Sequence, residues 1–433
     1  MVFVIIICIL SCLGMIVVTL IKPSLQIKKI TINTYWIIVL LGAIILVISQ
    51  SISFKDIFEG LTSDSQINPL KILILFISMT IISIFLDETG FFKYLANAVL
   101  RKTGSTQIML FSALYVTISV VTIFTSNDIV ILTFTPFICY FTKNAKINGI
   151  PYLVSGFVAA NTTSMLLIIG NPTNIYLATS SNIIFLDYLK VMALPSLFAF
   201  IVAYVVMLLL FKNNLKEPIS KTDEIIKIKD KTLLIIGLCL LLICTVLFVI
   251  SSYINIQMWI IALVGVSTLI IVTLLIAIVR RQKPLELVHT LKRTPWELIF
   301  FIISMFVLIL SLEKYNITTY LANILGNNNQ IWIYGSLSTI FANLVNNIPM
   351  SVLFSSIIAN LGSNINGAIY ATIIGSNIGA FLTPIGALAG IMWLTILKKN
   401  EIKYSFAKFI MYGVAISVPV LFASLFGLWI VCY

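Results

Sequence analysis

An apolar span broken in its middle constrains this chain more than any other feature. Ala371 to Trp393 reads ATIIGSNIGAFLTPIGALAGIMW, apolar at both ends with Gly375-Ser376-Asn377 and Thr383-Pro384-Ile385-Gly386 between them. Proline removes a backbone donor, glycine weakens a helix, and unpaired amides cannot face lipid. Such a span survives where the freed groups line a protein-enclosed or watery cavity. A second broken span, AANTTSMLLIIGNPTNIYLA from Ala159 to Ala178, aligns with the first. It pairs Asn161 with Asn377 and Gly170 with Gly386, in both cases across half of the 433-residue chain. The sequence reads as a duplication.

Composition fixes the solvent of these spans. Hydrophobic residues make up 60% of the chain and charged residues 10%, with a mean hydropathy of +1.12. A soluble domain is nearer half apolar and a quarter charged, so the expectation is an all-α membrane protein in the lipid bilayer. The net charge of +12 then reflects cationic cytoplasmic loops, not a nucleic-acid partner. Cys8, Cys12, Cys139, Cys239, Cys244 and Cys432 show no CxxC spacing and lie mostly in apolar runs. They read as small buried hydrophobes, without disulfides or a metal. The first 21 residues lack a basic start and a clear cleavage site, and read as a retained first helix.

Ten crossings fit the apolar pattern. They fall near 2–21, 35–54, 70–87, 151–182 and 188–211 in a first repeat over 1–211, then near 232–253, 256–279, 296–312, 367–397 and 404–432 in a second over 232–433. Residues 212–231, with six Lys and four acids, form the expected cytoplasmic linker. Between the third and fourth crossings, 105–143 and 330–362 each hold two short apolar stretches around a polar tip, Ser126-Asn127-Asp128 and Asn346-Asn347-Ile348-Pro349. That pattern predicts re-entrant hairpins. Segments 89–103 and 314–326 are amphipathic and expected along the interfaces. With 22–33 in the cytoplasm, all but four of the 27 Lys and Arg (Lys55, Lys71, Lys190 and Lys314) fall on the cytoplasmic side. Five crossings per half make the repeats inverted and put both termini outside.

Two tips and two breaks, related by inversion, should converge on one site near mid-membrane, with half-helices starting after Asp128, Asn174, Asn347 and Gly386. Polar breaks in both halves point to a secondary carrier. Asp128 is the one carboxylate expected deep in the membrane, either capping a helix from Ile129 or coupling transport to H⁺ or Na⁺. Asn127, Asn161, Asn171, Asn174, Asn346, Asn347 and Asn377 are expected around the solute, although each could instead satisfy freed backbone. No Lys, Arg or His occurs in 105–142, 147–189 or 315–397. A neutral polyhydroxy solute or a monoanion suits that lining better than a multivalent anion. There is no GxxxxGK[ST] loop, paired carboxylates or nucleophile–base set, so neither ATP hydrolysis by that route nor an enzyme is expected. No cofactor is implied. His289 is expected as a surface residue of a basic loop with no acidic cluster around it.

TSNDIVILTFTPFI from Thr125, YLVSGFVAANTTSMLL from Tyr152, TPWELIFFIISMFVLIL from Thr294, LVNNIPMSVL from Leu344 and IIGSNIGAFLTPIGALAGIMWL from Ile373 resemble the ion transporter superfamily. Within it they resemble the arsenite efflux permeases (arsenical pump membrane proteins), over nearly the whole chain. The resemblance implies two inverted repeats, a transport domain of hairpins and discontinuous helices beside a scaffold, homodimers in the plasma membrane, and elevator-like alternating access. For the arsenite branch it implies export of trivalent arsenic or antimony hydroxides against proton entry, in some members with a soluble ATPase partner. The runner-up reading is a Na⁺- or H⁺-coupled carrier of a small inorganic or organic anion, and the third a cation–proton antiporter. Transferred by motif, Ser126, Asn127, Asn346 and Asn347 form the tips. Asn161, Thr162, Thr163, Gly170, Asn171, Thr173 and Asn174 belong to the first break, and Ser376, Asn377, Thr383 and Gly386 to the second. The sequence carries Asn at 161 and 377 where the arsenite branch is expected to carry Asp. GNPTN at 170–174 is more similar to the superfamily's anion and sodium–proton members.

Overall fold

The computed structural model describes residues 1–22, 24–27, 30–62, 68–102, 106–216, 228–251, 253–362 and 365–433. Residues 217–227 of the expected linker lie outside the described residues. Among those described, the first half contributes α1 (Val2–Ile21), a hairpin of β1 (Ser24–Ile27) and β2 (Ile30–Asn33), α2 (Tyr35–Ile48), α3 (Phe54–Thr62), α4 (Pro69–Glu88), α5 (Phe91–Lys102), α6 (Gln107–Phe124), α7 (Asn127–Asn144), α8 (Ile150–Thr163), α9 (Pro172–Ser180) and α10 (Phe185–Phe211). The second contributes α11 (Lys231–Ile250), α12 (Met258–Val279), α13 (Leu285–Arg293), α14 (Glu297–Lys314), α15 (Ile317–Leu325), α16 (Gln330–Val345), α17 (Asn347–Ala359), α18 (Asn366–Gly379), α19 (Leu388–Lys399) and α20 (Phe406–Cys432). The fold is helical as expected apart from the antiparallel β1–β2 pair, which the loop reading of 22–33 did not anticipate.

Eight helices among the described residues are long and apolar enough to cross a membrane. One of them is α6, an 18-residue arm that the sequence reading took as short for a full span. At 1.5 Å per residue it reaches roughly 27 Å, close to a hydrocarbon core of about 30 Å.

Contacts repeat between the halves with their partners exchanged. The α1–α2 pair packs on α14, and the α11–α12 pair packs on α4. Helices α6 and α8 pack together, as do α16 and α18, while α10 lies along α20. The second broken-helix arm packs on the opposite tip helix in both directions, α9 on α17 and α19 on α7. Helix α4 is buried along nearly its whole length, capped by Asn68, whose Oδ1 accepts from Leu70 N and Lys71 N, with Pro69 at the first helical position. By contrast α1, α11 and α20 bury one stripe and expose leucines, isoleucines and phenylalanines around the rest, as lipid-facing helices do.

Ion pairs tie the helix ends across the halves. Lys314 at the end of α14 donates to Asp56 of α3 at 2.8 Å. Arg293 of α13 meets Asp87 at 2.7 Å and also pairs with Glu88 at the end of α4. His289 Nδ1 lies 3.6 Å from Glu88. His289 is exposed, as expected of a surface residue, and meets this one carboxylate because α13 folds back onto the end of α4, a contact between residues some 200 apart that no local pattern records.

Candidate functional site

The breaks are real interruptions of helix, and glycine is what permits them. After α8 the chain makes two 3₁₀ turns, Ser164–Leu166 and Ile168–Gly170, before α9 begins. After α18 it turns through 380–387 before α19. A Cβ on Gly170 would stand 2.1 Å from the Ser164 carbonyl oxygen, and one on Gly386 would stand 2.2 Å from that of Gly379. Each break thus folds back on the helix before it so closely that no side chain fits.

Asparagines hold the freed backbone. Asn174 Nδ2 donates to Ser164 O at 2.9 Å and Leu167 O at 3.2 Å. Asn346 Nδ2 donates to Ile385 O at 3.0 Å, while its Oδ1 accepts from Ile348 N. Asn343, which the sequence reading missed, serves the second break: Nδ2 donates to Gly379 O at 3.0 Å, and Oδ1 accepts from Thr383 N at 3.0 Å and Thr383 Oγ1 at 2.6 Å. The second tip meets this break directly, Asn347 N donating to Gly386 O at 3.0 Å. Left alone, such buried carbonyls and amides would each cost about 1–3 kcal/mol.

A second layer of contacts joins tip to break and half to half. Asn127 Nδ2 donates to Asn161 Oδ1 at 3.1 Å, linking the first tip to α8. Ser164, also missed, donates to Asn161 O at 3.0 Å and to Asn377 Oδ1 at 2.9 Å. Asn377 Oδ1 also accepts from Asn171 Nδ2 at 2.9 Å, and Asn377 Nδ2 donates to Asn174 Oδ1 at 2.7 Å and Ile373 O at 2.8 Å. All four hydrogen-bonding positions of the Asn377 carboxamide are therefore used by the protein. Beside it, Ser351 Oγ of α17 approaches Ser376 Oγ at 3.5 Å. The network is buried: Asn161, Asn174, Ser376 and Asn377 have no measurable exposure.

Several groups in this region have no hydrogen-bond partner among the described residues, Thr80 Oγ1 of α4 and the Ser126 hydroxyl among them. Asn127 Oδ1 is buried with no hydrogen-bond partner among the described residues. The Asn347 side chain and the half-buried Asp128 carboxylate make no hydrogen bond or ion pair among them either. Asp128 does not cap a helix starting at Ile129, because α7 already starts at Asn127 with Ser126 as its cap residue. The other expected starts also shift: α9 begins at Pro172, capped by Asn171, and α19 at Leu388, while α17 begins at Asn347. Thr173 turns both its N–H and its hydroxyl onto Asn171 Oδ1. Thr162 and Thr163 turn their hydroxyls back on α8, at Val158 O and Ala159 O, and so stand apart from the network. A gap too small for a water separates Thr125, Ser126 and Ile169 from Thr80 and Ser83 of α4.

Sequence and structure comparisons add relatives. A family model, CitMHS, described as citrate transporter, matches residues 16–375. The arsenical pump membrane protein of Escherichia coli is 29% identical over 371 residues, covering 82% of this chain and 84% of the relative. Its counterpart in Yersinia enterocolitica is 29% identical over 374 residues with the same coverage. Among solved structures, the YdaH transporter of Alcanivorax borkumensis superposes with a TM-score of 0.58 at 12% identity, covering 99% of this chain and 98% of that one. MtrF of Neisseria gonorrhoeae, from a class of antimetabolite efflux pumps, gives 0.51 at 12% identity over 99% and 94%. At that identity the two structures speak for the fold alone.

Proposed function

The chain belongs to the CitMHS family of membrane transporters, and from that premise we propose that it is a secondary active carrier exporting arsenite or antimonite in exchange for protons. The observation that carries this reading is the uncharged network from Asn127 through Asn161 and Ser164 to Asn377, which joins a tip of one half to a broken helix of the other. Carboxamides and hydroxyls exchange hydrogen bonds with a neutral trihydroxide without needing a counter-charge, and the spans around them contain no Lys, Arg or His. The arsenical pump relatives support the same substrate. Asp128, half-buried and without a partner, is the residue assigned to coupling.

In this reading α6–α7 and α16–α17 are re-entrant hairpins, and the two halves are inverted repeats of five crossings each. The hairpins with α8–α9 and α18–α19 form a transport domain that moves elevator-fashion against a scaffold of α1, α2, α4, α11, α12 and α14. The protein works as a homodimer in the plasma membrane with both termini outside, and it accommodates a soluble ATPase partner where one is made. Among the described residues the Lys and Arg ion pairs join residues assigned to the same side: Lys55 with Glu59, Asp56 with Lys314 and Asp187 with Lys190 outside, and Lys143 with Glu401, Asp230 with Arg280 and Glu88 with Arg293 inside.

One second reading has a specific observation behind it. The matching family model is described as citrate transporter, and the Asn171-capped α9 presents a helix start at the network, where a carboxylate is stabilised. Uptake into everted vesicles of arsenite, antimonite, phosphate, citrate and Na⁺, with and without a pH gradient, separates the readings. Arsenite accumulation that collapses with the gradient is the expected result. Citrate or phosphate accumulation with no metalloid transport would replace the proposal with the anion carrier.

A further inference from the structure

Helix α4 is buried along nearly its whole length, yet one of its faces is polar. Phe76, Thr80, Ser83 and Asp87 follow at steps of four, three and four residues, which keep side chains on one side of a helix. Thr80 and Ser83 line the narrow gap beside Thr125 and Ser126 of the first tip and Ile169 of the first break. Thr80 Oγ1 is buried without a hydrogen-bond partner, and among the described residues the Ser83 and Ser126 hydroxyls have none either. One turn on, Asp87 Oδ2 meets Arg293 at 2.7 Å while its Oδ1 stays buried and open.

A hydroxyl in an apolar helix has an easy partner in the carbonyl one turn back. Ser304 and Ser311 of α14 take it, as do Thr117 and Thr122 of α6. Thr80 and Ser83 do not. A buried, unmatched hydroxyl costs stability that an apolar side chain of the same shape would keep. The architecture does not demand hydroxyls here. Tyr-Leu-Ala-Asn at 94–97 recurs at 320–323, and on that register Thr80 and Ser83 fall opposite Phe306 and Ile309 of α14.

We propose that Thr80 and Ser83 are solute-contacting residues, the α4 side of the site at the first tip. The Asp87–Arg293 pair marks the end by which the solute arrives from the cytoplasm. Hydroxyls donate and accept without charge, so these two with that of Ser126 match an uncharged, oxygen-rich solute. Contact is made when the tip draws back from α4 and the gap widens. The inference rests on the carrier reading above and extends its site to a helix outside the tips and breaks.

The experiment is the concentration dependence of arsenite and citrate uptake into everted vesicles, read on whichever solute the parent accumulates. Thr80→Val and Ser83→Ala should each raise half-saturation at least fivefold with the maximal rate within about twofold of the parent. Thr80→Ser should restore half-saturation to within about twofold. Thr273→Val removes another buried, unpartnered hydroxyl, on α12, and should leave half-saturation unchanged. The thermal midpoint of Thr80→Val should not fall, since that hydroxyl holds nothing in the fold. Parent-like half-saturation in both Thr80→Val and Ser83→Ala overturns this inference and leaves the carrier reading standing. No accumulation of either solute by the parent overturns both. Independently of uptake, Ser83→Cys in everted vesicles should react with a small membrane-impermeant thiosulfonate at least tenfold faster than Ile82→Cys, read by mass spectrometry of the labelled peptide. Ile82 lies on another face of α4, toward Gly265 of α12. Equal rates would overturn the approach from the cytoplasm along this face.

Discussion

Asparagine does two jobs in this protein, and hydrogen-bond accounting separates them. Asn377 has every donor and acceptor position engaged, whereas Asn127 keeps a buried Oδ1 open. Truncating the first strands several buried groups at about 1–3 kcal/mol each, and truncating the second strands little beyond Asn161. Asn377→Ala should therefore lower the thermal midpoint of the detergent-solubilised protein clearly more than Asn127→Ala. Equal shifts would mean the network is not what holds the break. Asp128→Asn should leave the fold intact and abolish pH-driven accumulation; normal accumulation by this variant would remove Asp128 from coupling. The residue types at tips and breaks were legible in the sequence because Asn, Gly and Pro are conspicuous in apolar runs. Which Asn serves backbone and which stays open was not legible, since it depends on partners some 200 residues away. Asn343 escaped because it sits inside α16, where an isolated polar residue looks like any other, and Ser164 because it follows the polar run 161–163, where nothing local sets one hydroxyl apart from the next.

At the scale of elements, the breaks persist because glycine allows two backbones to touch. Gly170→Ala and Gly386→Ala each place a carbon within 2.2 Å of a carbonyl oxygen, which forces the 3₁₀ turns or the 380–387 turn to shift. A cost of about 1–3 kcal/mol is expected for each, read as a lower thermal midpoint, while a neutral effect in both would mean the breaks relax freely. The short helix α3 is held differently. The hydrogen bond from Lys314, with those from Ser53, brings the Asp56 carboxyl down to about 2. A carboxyl lowered on folding stabilises above its ordinary range, and the contribution is lost as pH falls through about 2. The α3–α14 contact should thus persist at pH 4, and Asp56→Asn should speed amide exchange in 54–62 at neutral pH. Exchange unchanged by that substitution would show the pair to be idle. Most helix boundaries were readable to within a few residues from hydropathy, although α2 stops at Ile48, short of the expected 54. The β1–β2 hairpin was not, because it is short and bounded by lysines that suggest only a solvated loop.

For the whole molecule, contacts are exchanged between the halves, α2 on α14 and α12 on α4, α9 on α17 and α19 on α7. Helix α4 and the tip helices α7 and α17 each take part of their cover from the other half. The expectation of a duplication came from Asn161 and Gly170 recurring as Asn377 and Gly386, but the exchange of contacts could not be read there, because sequence periodicity carries no information on pairing between halves. The account stands on the Asn127–Asn161 contact belonging to the solute's path. Its most direct test is the concentration dependence of arsenite uptake into everted vesicles by Asn127→Ala and Asn161→Ala, with Asn182→Ala as a folded control outside the network. Half-saturation should rise at least tenfold in the first two and stay at the parent value in the third; parent-like half-saturation in both Asn127→Ala and Asn161→Ala would contradict the account.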